Sequence, residues 1–350
     1  MTTLKKEIKL NQPTLIDNGV WKPLNAVNAT ILQASKDKIL FNKVLSLIQQ
    51  AQESICLQSF LIQDTAIIDT LIEATERGVR VFITSSAEAR LKPTMEEDTD
   101  FRKDKYIKML NEKFKYRFVH RSAANLHAKF IVIDGKTHPQ GIIFTNNFTE
   151  NGFFKNPELA VILNAEQATE LYTVFVFYFW EKTTDEQTTD NEFKPIKAAQ
   201  KFTLPLMEKV LLSIDKSLIN KILESINGAK KEIVFSTFSM DKDFSICQAI
   251  AKKQVQNVAV SIFTRSNNNQ LHKQLKVFLD NKSDIYLHPF THAKFILIDN
   301  TEGYIFTANF KQTDFENDFN VGIQLSEYQV KELSDIASNW KTQFPYKFAR

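Results

Sequence analysis

The chain has 350 residues, of which 43% are hydrophobic and 24% are charged, a composition typical of a globular protein and a length sufficient for two domains. Its net charge of +3 only weakly favours an anionic partner. No segment approaches the roughly 18 apolar residues of a membrane span, and the N-terminus lacks a signal-peptide pattern, so we predict no transmembrane segment. The cysteines, Cys56 and Cys247, lie in apolar surroundings, which predicts buried free thiols in a reducing, cytoplasmic location.

Apolar residues spaced three and four apart predict helices, and continuous apolar runs predict buried strands. In the first half, helices and strands alternate at about 39–52, 54–61, 67–77, 79–84 and 101–111. A short strand, a strand that carries a repeated motif, another strand and a closing helix follow. The second half repeats this order, beginning at about 218–229, 232–239, 244–254, 258–264 and 269–280. This alternation predicts an α/β fold with a mixed β-sheet flanked by helices in each half.

The two halves define the predicted domain organisation. The first half carries about 14 additional residues around 85–100, which we interpret either as a loop that overhangs a site or as a plain surface insertion. We predict an N-terminal extension over 1–38 that packs on the first lobe and has no counterpart in the second half. A first lobe over 39–182, a polar linker over 183–202 and a second lobe over 203–350 follow.

The most informative feature of the chain is a phrase that occurs twice. His127-x-Lys129-x-x-x-x-Asp134 recurs as His292-x-Lys294-x-x-x-x-Asp299. Residues two apart on a strand share one face, so each histidine and its lysine can contact the same anion. The duplication therefore predicts one composite site made from two related halves.

A hydroxyl and an amide follow each motif at the same spacing, as Thr145-x-Asn147 and Thr307-x-Asn309. Two lysines, two amides and two histidines at one centre suit a phosphodiester. The lysines and amides hold its non-bridging oxygens, while the imidazoles carry out attack and protonate the leaving group. Imidazole suits both tasks because its unperturbed pKa of about 6.5 makes both protonation states accessible near neutral pH.

These residues resemble the signature of the phospholipase D superfamily, H-x-K-x-x-x-x-D followed by G-S-x-N and then N-x-E, over roughly residues 40–345. The resemblance implies two pseudo-twofold lobes, one active site at their interface, a covalent phosphohistidine and no metal or other cofactor. It also implies that His127 and His292 are nucleophile and general acid, with His127 favoured as the nucleophile. The implied phosphate ligands are Lys129, Lys294, Asn147, Asn309, Thr145 and Thr307.

The sequence departs from this signature at several positions. Threonine stands at 145 and 307 where the family has serine, and Phe144 and Phe306 stand at the glycine position. Asn156-Pro-Glu158 matches N-x-E, which predicts that Glu158 orients a catalytic imidazole. Aligning Asn320-Val-Gly322 with the second N-x-E places glycine at the acid position, so one histidine is expected to lack its usual carboxylate, with Glu316, Asp318 or Gln324 as substitutes.

Asp134 and Asp299 are predicted to be structural. Each lies seven residues from its histidine and on the opposite face of the strand, which favours a turn or hydrogen-bonding role. A metal site is not predicted, because lysine is not an ordinary ligand and no clustered His, Cys or carboxylate spacing occurs.

The resemblance leaves the substrate open, because the superfamily includes phospholipases, phosphatidyl transferases and nucleases. After Asn147 the chain reads Phe148-Thr-Glu-Asn-Gly rather than the Asp-x-Arg-Ser usual in cardiolipin synthases, which resembles bacterial nuclease-like members. The leading hypothesis is therefore a cytoplasmic, metal-independent nuclease that acts as a monomer with an internal pseudo-dimer, with DNA as the favoured partner and a higher oligomer left open. The alternatives are phospholipase D or phosphatidyltransferase activity on phospholipids, and a catalytically weak nucleic-acid-binding scaffold, which the glycine at position 322 would favour.

Overall fold

The computed structural model describes residues 6–8, 22–23, 28–96, 98–114, 117–188, 192–196, 201–281 and 283–348. Within these ranges the chain forms two nine-stranded mixed sheets flanked by helices. The predicted α/β class with two similar lobes is confirmed. No helix of the described ranges is long and apolar enough to cross a membrane. Both cysteines are free and buried, as predicted.

The first lobe is built on one sheet, in which three central strands are parallel and the remaining neighbours are antiparallel. Its strands, after β1 (Lys6–Ile8), are β2 (Ile31–Gln33), β3 (Ser54–Gln58), β4 (Arg80–Ser86), β5 (Val119–Ala123), β6 (Phe130–Ile133), β7 (Gln140–Phe144), β8 (Leu159–Ile162), β9 (Asp185–Gln187) and β10 (Phe193–Pro195). Its helices are α1 (Ile39–Gln50), α2 (Thr65–Glu76), α3 (Lys103–Met109), α4 (Glu150–Phe154) and α5 (Ala165–Glu181). The strand order is β10-β9-β5-β4-β3-β6-β7-β8-β2.

The second lobe repeats this plan. Its strands are β11 (Val210–Leu212), β12 (Glu232–Ser236), β13 (Ala259–Arg265), β14 (Asp284–His288), β15 (Phe295–Ile298), β16 (Glu302–Phe306), β17 (Val321–Gln324) and β18 (Tyr346–Phe348). Its helices are α6 (Ser217–Gly228), α7 (Ser245–Val255), α8 (Asn269–Asp280), α9 (Gln312–Glu316) and α10 (Glu327–Gln343). The strand order is β1-β18-β14-β13-β12-β15-β16-β17-β11, so seven strands of each sheet correspond one to one.

The closing helices α5 and α10 begin in the same way in both lobes. Asn164 and Ser326 each accept a hydrogen bond from the backbone three residues ahead, and the glutamine there bonds back to the cap. This capping box satisfies two backbone N–H groups that would otherwise lack a helical partner. Both helices have 17 residues and bury one face in a core that contains residues from both lobes, among them Phe130, Phe175, Phe295 and Trp340.

Each closing helix also holds the edge strand of the opposite lobe. Glu170 of α5 accepts hydrogen bonds from the backbone N–H groups of Lys209 and Val210 at 2.8 and 2.9 Å. Glu332 of α10 accepts from the backbone N–H groups of Thr30 and Ile31 at 3.0 and 3.2 Å. The lobes are therefore joined by two equivalent contacts across the interface at which the repeated motif segments meet.

The structure corrects the expectation for residues 1–38. Strand β2 belongs to the first sheet, where it pairs with β8, and its counterpart β11 pairs with β17 in the second sheet. The extension therefore does have a counterpart in the second half. Strand β1 pairs with β18 of the second lobe, so the extension does not pack on the first lobe alone. Three-residue edge strands are too short to produce a recognisable sequence period.

The polar segment predicted as a linker also contributes to a sheet. Strands β9 and β10 form an antiparallel pair, and β9 joins the first sheet next to β5. Short, polar strands are typical of sheet edges. A proline such as Pro195 is tolerated there because an edge strand does not need every backbone N–H to pair with a neighbouring strand. This composition gave the segment the sequence pattern of a linker.

Candidate active site

The two motif segments precede equivalent central strands, β6 and β15, and each contacts the opposite lobe. The backbone N–H of His127 donates to the Phe319 carbonyl at 3.1 Å, and that of His292 donates to the Pro157 carbonyl at 3.2 Å. Both histidine side chains are buried. Each imidazole is therefore supplied by one lobe and held in place by the other.

His292 is braced by a carboxylate of the first lobe. Its Nδ1 lies 2.5 Å from Oε1 of Glu158, and the other carboxylate oxygen accepts a hydrogen bond from the Thr145 hydroxyl at 2.6 Å. All three side chains are almost completely buried. The predicted orienting role of Glu158 has a direct geometric basis in this contact, because a bonded Nδ1 leaves Nε2 as the reactive nitrogen.

The environment of Glu158 favours its ionised form. Burial alone would raise the pKa of this carboxyl. The charges of His292 and Lys294, together with the hydrogen bonds from His292 and Thr145, outweigh burial and bring the pKa of Glu158 below its ordinary value. A full negative charge therefore lies against His292.

His127 is braced by an amide instead. Its Nδ1 lies 2.9 Å from Oδ1 of Asn320, which also accepts a hydrogen bond from the Thr307 hydroxyl at 2.8 Å. The amide nitrogen of Asn320 donates to the Asp314 carbonyl at 2.6 Å. Because that carbonyl can only accept, the amide oxygen must face the imidazole, which therefore donates from Nδ1 and keeps a lone pair on Nε2.

This geometry corrects the alignment of the second N-x-E element. Glu158 and Asn320 each lie thirteen residues after the threonine that they bind. Asn320, not Gly322, therefore occupies the position of the acid. Gly322 lies in β17 opposite Phe306, where a Cβ would approach the Phe306 Cβ to 2.8 Å, so close packing explains this glycine. The expected substitutes Glu316 and Gln324 are exposed.

The two motif lysines are completely buried beside the histidines. Lys129 Nζ donates to the His127 carbonyl at 2.5 Å. Lys294 Nζ lies 2.9 Å from both ring nitrogens of His292 and donates to the Thr145 carbonyl at 3.3 Å. The two buried ammonium groups provide positive charge that can attract an anionic ligand.

The two predicted amide ligands, Asn147 and Asn309, are buried, and each follows a strand that pairs with a motif strand, but their hydrogen bonds differ. Asn309 donates from both its backbone and its side-chain nitrogen to one oxygen of Asp314, at 2.8 and 2.9 Å. Asn147 Oδ1 accepts a long hydrogen bond of 3.5 Å from the Ser59 hydroxyl. The residue equivalent to Asp314 in the first lobe is Gly152, where a Cβ would lie 2.5 Å from the Asn147 carbonyl.

The two motif aspartates occupy structural positions at the far ends of the motif strands. The Asp134 carboxylate accepts hydrogen bonds from the backbone N–H groups of Gln52, Glu53 and Ser54, and Asp299 accepts in the same way from residues 230–232. Burial would raise the pKa of Asp299, but these backbone donors lower it overall. Both aspartates have positive φ angles, 47° and 53°, so each also forms the turn that ends its strand.

An aromatic ring lies against each motif histidine. Phe60 meets His127 edge-on at 6.0 Å, and Phe238 meets His292 edge-on at 5.0 Å. Arginine guanidinium groups lie over these rings as well, Arg90 at 5.5 Å from Phe60 and Arg265 at 4.3 Å from Phe238. Neither ring was identified from the sequence, although each lies two residues after an equivalent strand, β3 or β12.

The additional loop of the first lobe crosses to the second lobe beside the site. Arg90 forms a salt bridge with Asp318 at 2.8 Å, and the Glu96 carbonyl accepts from Arg265 Nη1 at 2.8 Å. The first of the two sequence interpretations, a loop that overhangs the site, agrees with these contacts. Asp318 is thereby engaged by Arg90, while Asn320 is the residue that binds His127.

The histidine of each lobe is hydrogen-bonded by a side chain of the other lobe. The protein is an enzyme of the phosphodiesterase type. The chain belongs to the phospholipase D superfamily, since the family described as "Cardiolipin synthase, PLD-like domain" matches residues 44–180 and 222–344. A comparison with curated protein sequences found no significant match.

Solved structures agree with the fold. Phosphatidylserine synthase from Haemophilus influenzae Rd KW20 is similar, with 12% identity and a TM-score of 0.66, over 90% of this chain and 86% of the synthase. Polyphosphate kinase from Porphyromonas gingivalis is also 12% identical, with a TM-score of 0.60 over 89% of this chain, but the match spans only 50% of the kinase. At these identities the similarity concerns the fold alone.

Proposed function

We propose that the protein is a metal-independent phosphodiesterase that acts through a phosphohistidine, and that nucleic acid is its substrate. The observation that carries the proposal is that each histidine is hydrogen-bonded across the lobe interface, His127 to Asn320 and His292 to Glu158. Two imidazoles held in this way, with lysine and amide donors around them, provide a nucleophile and a proton donor for one phosphate. Among the described residues, no three His, Cys, Asp or Glu side chains are grouped to hold a metal ion.

The different hydrogen-bond partners of the two histidines support different roles for them in the reaction. The reaction must start with one neutral and one protonated imidazole. The negatively charged carboxylate of Glu158 lies beside His292 and therefore favours the imidazolium form of that histidine, whereas Asn320 offers His127 only a neutral acceptor. The Lys294 ammonium beside the His292 ring opposes a second positive charge there, but the Glu158 carboxylate, bonded to Nδ1 at 2.5 Å, offsets it. We assign His127 as the nucleophile and His292 as the general acid.

The proposed reaction has two steps. The lone pair on His127 Nε2 attacks phosphorus, the bond to the leaving oxygen breaks, and His292 gives its proton to that oxygen. In the second step His292 accepts a proton from water as the water oxygen attacks phosphorus, and the phosphorus–nitrogen bond breaks. Lys129, Lys294, Asn147 and Asn309 would hold the non-bridging oxygens throughout, because they supply the ammonium and amide donors next to the imidazoles.

A nucleic-acid substrate is supported by the surroundings of His292 on the first-lobe side. Lys155 Nζ lies 4.6 Å from the ring centre of Phe290, and both side chains are partly exposed. Phe290 precedes His292 by two residues, and Lys155 precedes Glu158 by three. An aromatic face paired with a cation at this point suits a base and a backbone phosphate next to the cleaved bond.

Phospholipid hydrolysis or phosphatidyl transfer is the second candidate. It is favoured by the family description, which names cardiolipin synthase, and by the fold shared with a phosphatidylserine synthase. Both candidates use the same two imidazoles, so they differ in what binds around the phosphate.

A substrate panel in excess EDTA tests the proposal. Labelled single-stranded DNA, duplex DNA, RNA and phosphatidylglycerol vesicles should be incubated with the protein and with a His127→Ala/His292→Ala double variant as control. We expect cleavage of a nucleic acid by the unmodified protein alone. Cleavage of the lipid alone would replace the first candidate with the second, and a strict requirement for added Mg²⁺ would contradict the metal-independent mechanism.

A further inference from the structure

We propose that an open groove in the second lobe binds the alcohol portion of the substrate that departs toward His292, and that this groove selects alcohols without an additional phosphate. The inference rests on the proposed phosphodiesterase function and names the chemical class that its leaving-group side accepts.

The groove adjoins the candidate site through two of its lining residues, Phe238 and Lys311. It has a volume of about 610 Å³ and is lined by the loops after β12 and β16 and by the first turns of α8 and α9. Phe238, whose ring contacts His292, forms one wall. Lys311, two residues beyond the proposed phosphate ligand Asn309, forms another. A group that occupies the groove therefore lies against the Phe238 ring, which itself contacts the imidazole that we assign as the general acid.

The corresponding region of the first lobe is covered by the additional loop. Asn151 of α4, which is equivalent to Thr313 in the wall of the second-lobe groove, donates to Asp98 at 2.7 Å and to Asp100 at 2.9 Å. Phe101, which follows these acids, is completely buried. The loop thus occupies the space between α3 and α4, while the equivalent space in the second lobe remains open. The second-lobe groove is therefore left as an open polar surface beside Phe238.

The lining of the groove indicates what it accepts. Its polar side chains are mostly amides and hydroxyls, which bond neutral hydroxyl and amide groups. Among the described lining residues, the charged ones are three acids, Glu96, Asp241 and Glu316, and a single lysine, Lys311. A further phosphate on the alcohol would meet a net negative wall, whereas an uncharged or cationic alcohol would not. A terminal nucleoside of a nucleic acid, which carries no further phosphate, and the head alcohol of a phospholipid share this chemistry, whereas an internal nucleotide does not.

The second step of the reaction allows a test that does not depend on the natural substrate. An alcohol in the groove can replace water as the acceptor. Its oxygen attacks the phosphorus of the phosphorylated His127, its hydroxyl proton passes to His292, and the electron pair of the phosphorus–nitrogen bond returns to His127. The product is a new phosphodiester, and its yield relative to hydrolysis measures how well the groove binds the alcohol.

The experiment uses bis(4-nitrophenyl) phosphate as the phosphoryl donor, with acceptors that differ only by a phosphate. Thymidine is compared with thymidine 5′-phosphate, glycerol with glycerol phosphate, and choline is added as a cationic alcohol. We expect transfer to thymidine, glycerol or choline to exceed transfer to the phosphorylated acceptors by about fivefold or more, which corresponds to one like-charge contact at about 4 Å in water. A preference for thymidine over glycerol and choline would identify the nucleoside, and the reverse preference the lipid head alcohol.

Variants connect this preference to the groove. Glu316→Gln and Asp241→Asn should raise transfer to the phosphorylated acceptors, while Glu224→Gln, which removes an exposed acid on the distant α6, should not alter the ratio. Equal use of both kinds of acceptor, or a ratio that these variants leave unchanged, would overturn the inference although 4-nitrophenol is released. If no 4-nitrophenol is released at all, the proposed phosphodiesterase function fails, and this inference fails with it.

Discussion

Asn320 of the second lobe binds His127 of the first lobe at the position where, in the other half of the site, Glu158 binds His292. The distances are 2.9 Å and 2.5 Å, and both braces are also bound by the threonine of the Thr-x-Asn element. The geometry is thus nearly symmetric while the charge is not. Because a carboxylate and an amide are similar in shape, the asymmetry can be changed by a single substitution at either position.

Asn320→Asp should move the acidic limb of the pH profile of kcat/KM toward higher pH, by about one pH unit or more. The new carboxylate would favour the imidazolium of His127, so a smaller fraction of the protein would hold the neutral nucleophile at a given pH. The measurement is the pH dependence of kcat/KM with bis(4-nitrophenyl) phosphate. A limb that stays in place or moves to lower pH would contradict the assignment of His127 as the nucleophile.

Glu158→Gln is the mirror experiment. Without the carboxylate, His292 should lose its proton at lower pH, so the basic limb should move toward lower pH. We also expect kcat to fall by about 10²-fold for an alkyl phosphodiester, the lower end of what a general acid contributes, and by much less for a 4-nitrophenyl ester, which needs little protonation. Equal losses for the two kinds of leaving group would indicate that Glu158 supports only the fold.

The two histidine variants should differ in the first turnover. His292→Ala should release about one equivalent of 4-nitrophenol from bis(4-nitrophenyl) phosphate and then stop, because the base that activates water is missing while the nucleophile remains. His127→Ala should release no such burst. Rapid-quench measurement of 4-nitrophenol, with acid-labile phosphoprotein detected by ³²P, provides the readout. A burst in His127→Ala and none in His292→Ala would reverse the two roles.

The sequence predicted the parts of this site that are repeated, and it failed where the halves differ. The histidines, lysines, threonines and asparagines were found because each set occurs twice at fixed spacing. Asn320 was missed because the N-x-E pattern was matched by its letters, and Asn320 itself supplied the first letter. The available signal was the thirteen-residue distance from each threonine to its brace, which is the same in both lobes.

The fold was predictable to a similar degree. Helices and buried strands long enough to show a hydrophobic period were assigned in the correct order, whereas the three-residue strands β1, β2, β9 and β10 were read as an extension and a linker. Strands β1, β2 and β9 pair with strands far away in the chain, and β10 joins the sheet only through β9, so local sequence does not carry that information. The hydrogen bonds between Asn320 and His127 and between Glu158 and His292 also join residues far apart in the chain, so local sequence does not reveal them either.

Asp134→Ala tests the structural role of the motif aspartates. The substitution leaves the backbone N–H groups of Gln52, Glu53 and Ser54 without the acceptor they have now, so the free energy of unfolding should fall by about 1–3 kcal/mol. Urea denaturation measures this loss, and kcat of the folded variant should change little, because the four-residue strand β6 separates Asp134 from the catalytic segment. A loss of kcat by orders of magnitude, with stability retained, would show instead that Asp134 takes part in catalysis.

His120 should make the protein less stable in mild acid. Burial lowers the pKa of His120 to about 4, although the hydrogen bond with Gln187 opposes this effect. In the unfolded chain the pKa would be near 6.5, so between these values the unfolded state binds the proton and the folded state does not. The stability that depends on a neutral His120 is therefore complete above the unfolded value and is lost as the pH falls toward 4. Over this window the loss is on the order of 3 kcal/mol.

Urea denaturation of the protein at pH 7.5 and pH 5 should show the decrease, and His120→Gln should reduce the pH dependence. His138→Gln, at an exposed position, serves as the matched control and should leave the decrease in place. If the His120 variant retains the full pH dependence, another buried group must be responsible for it.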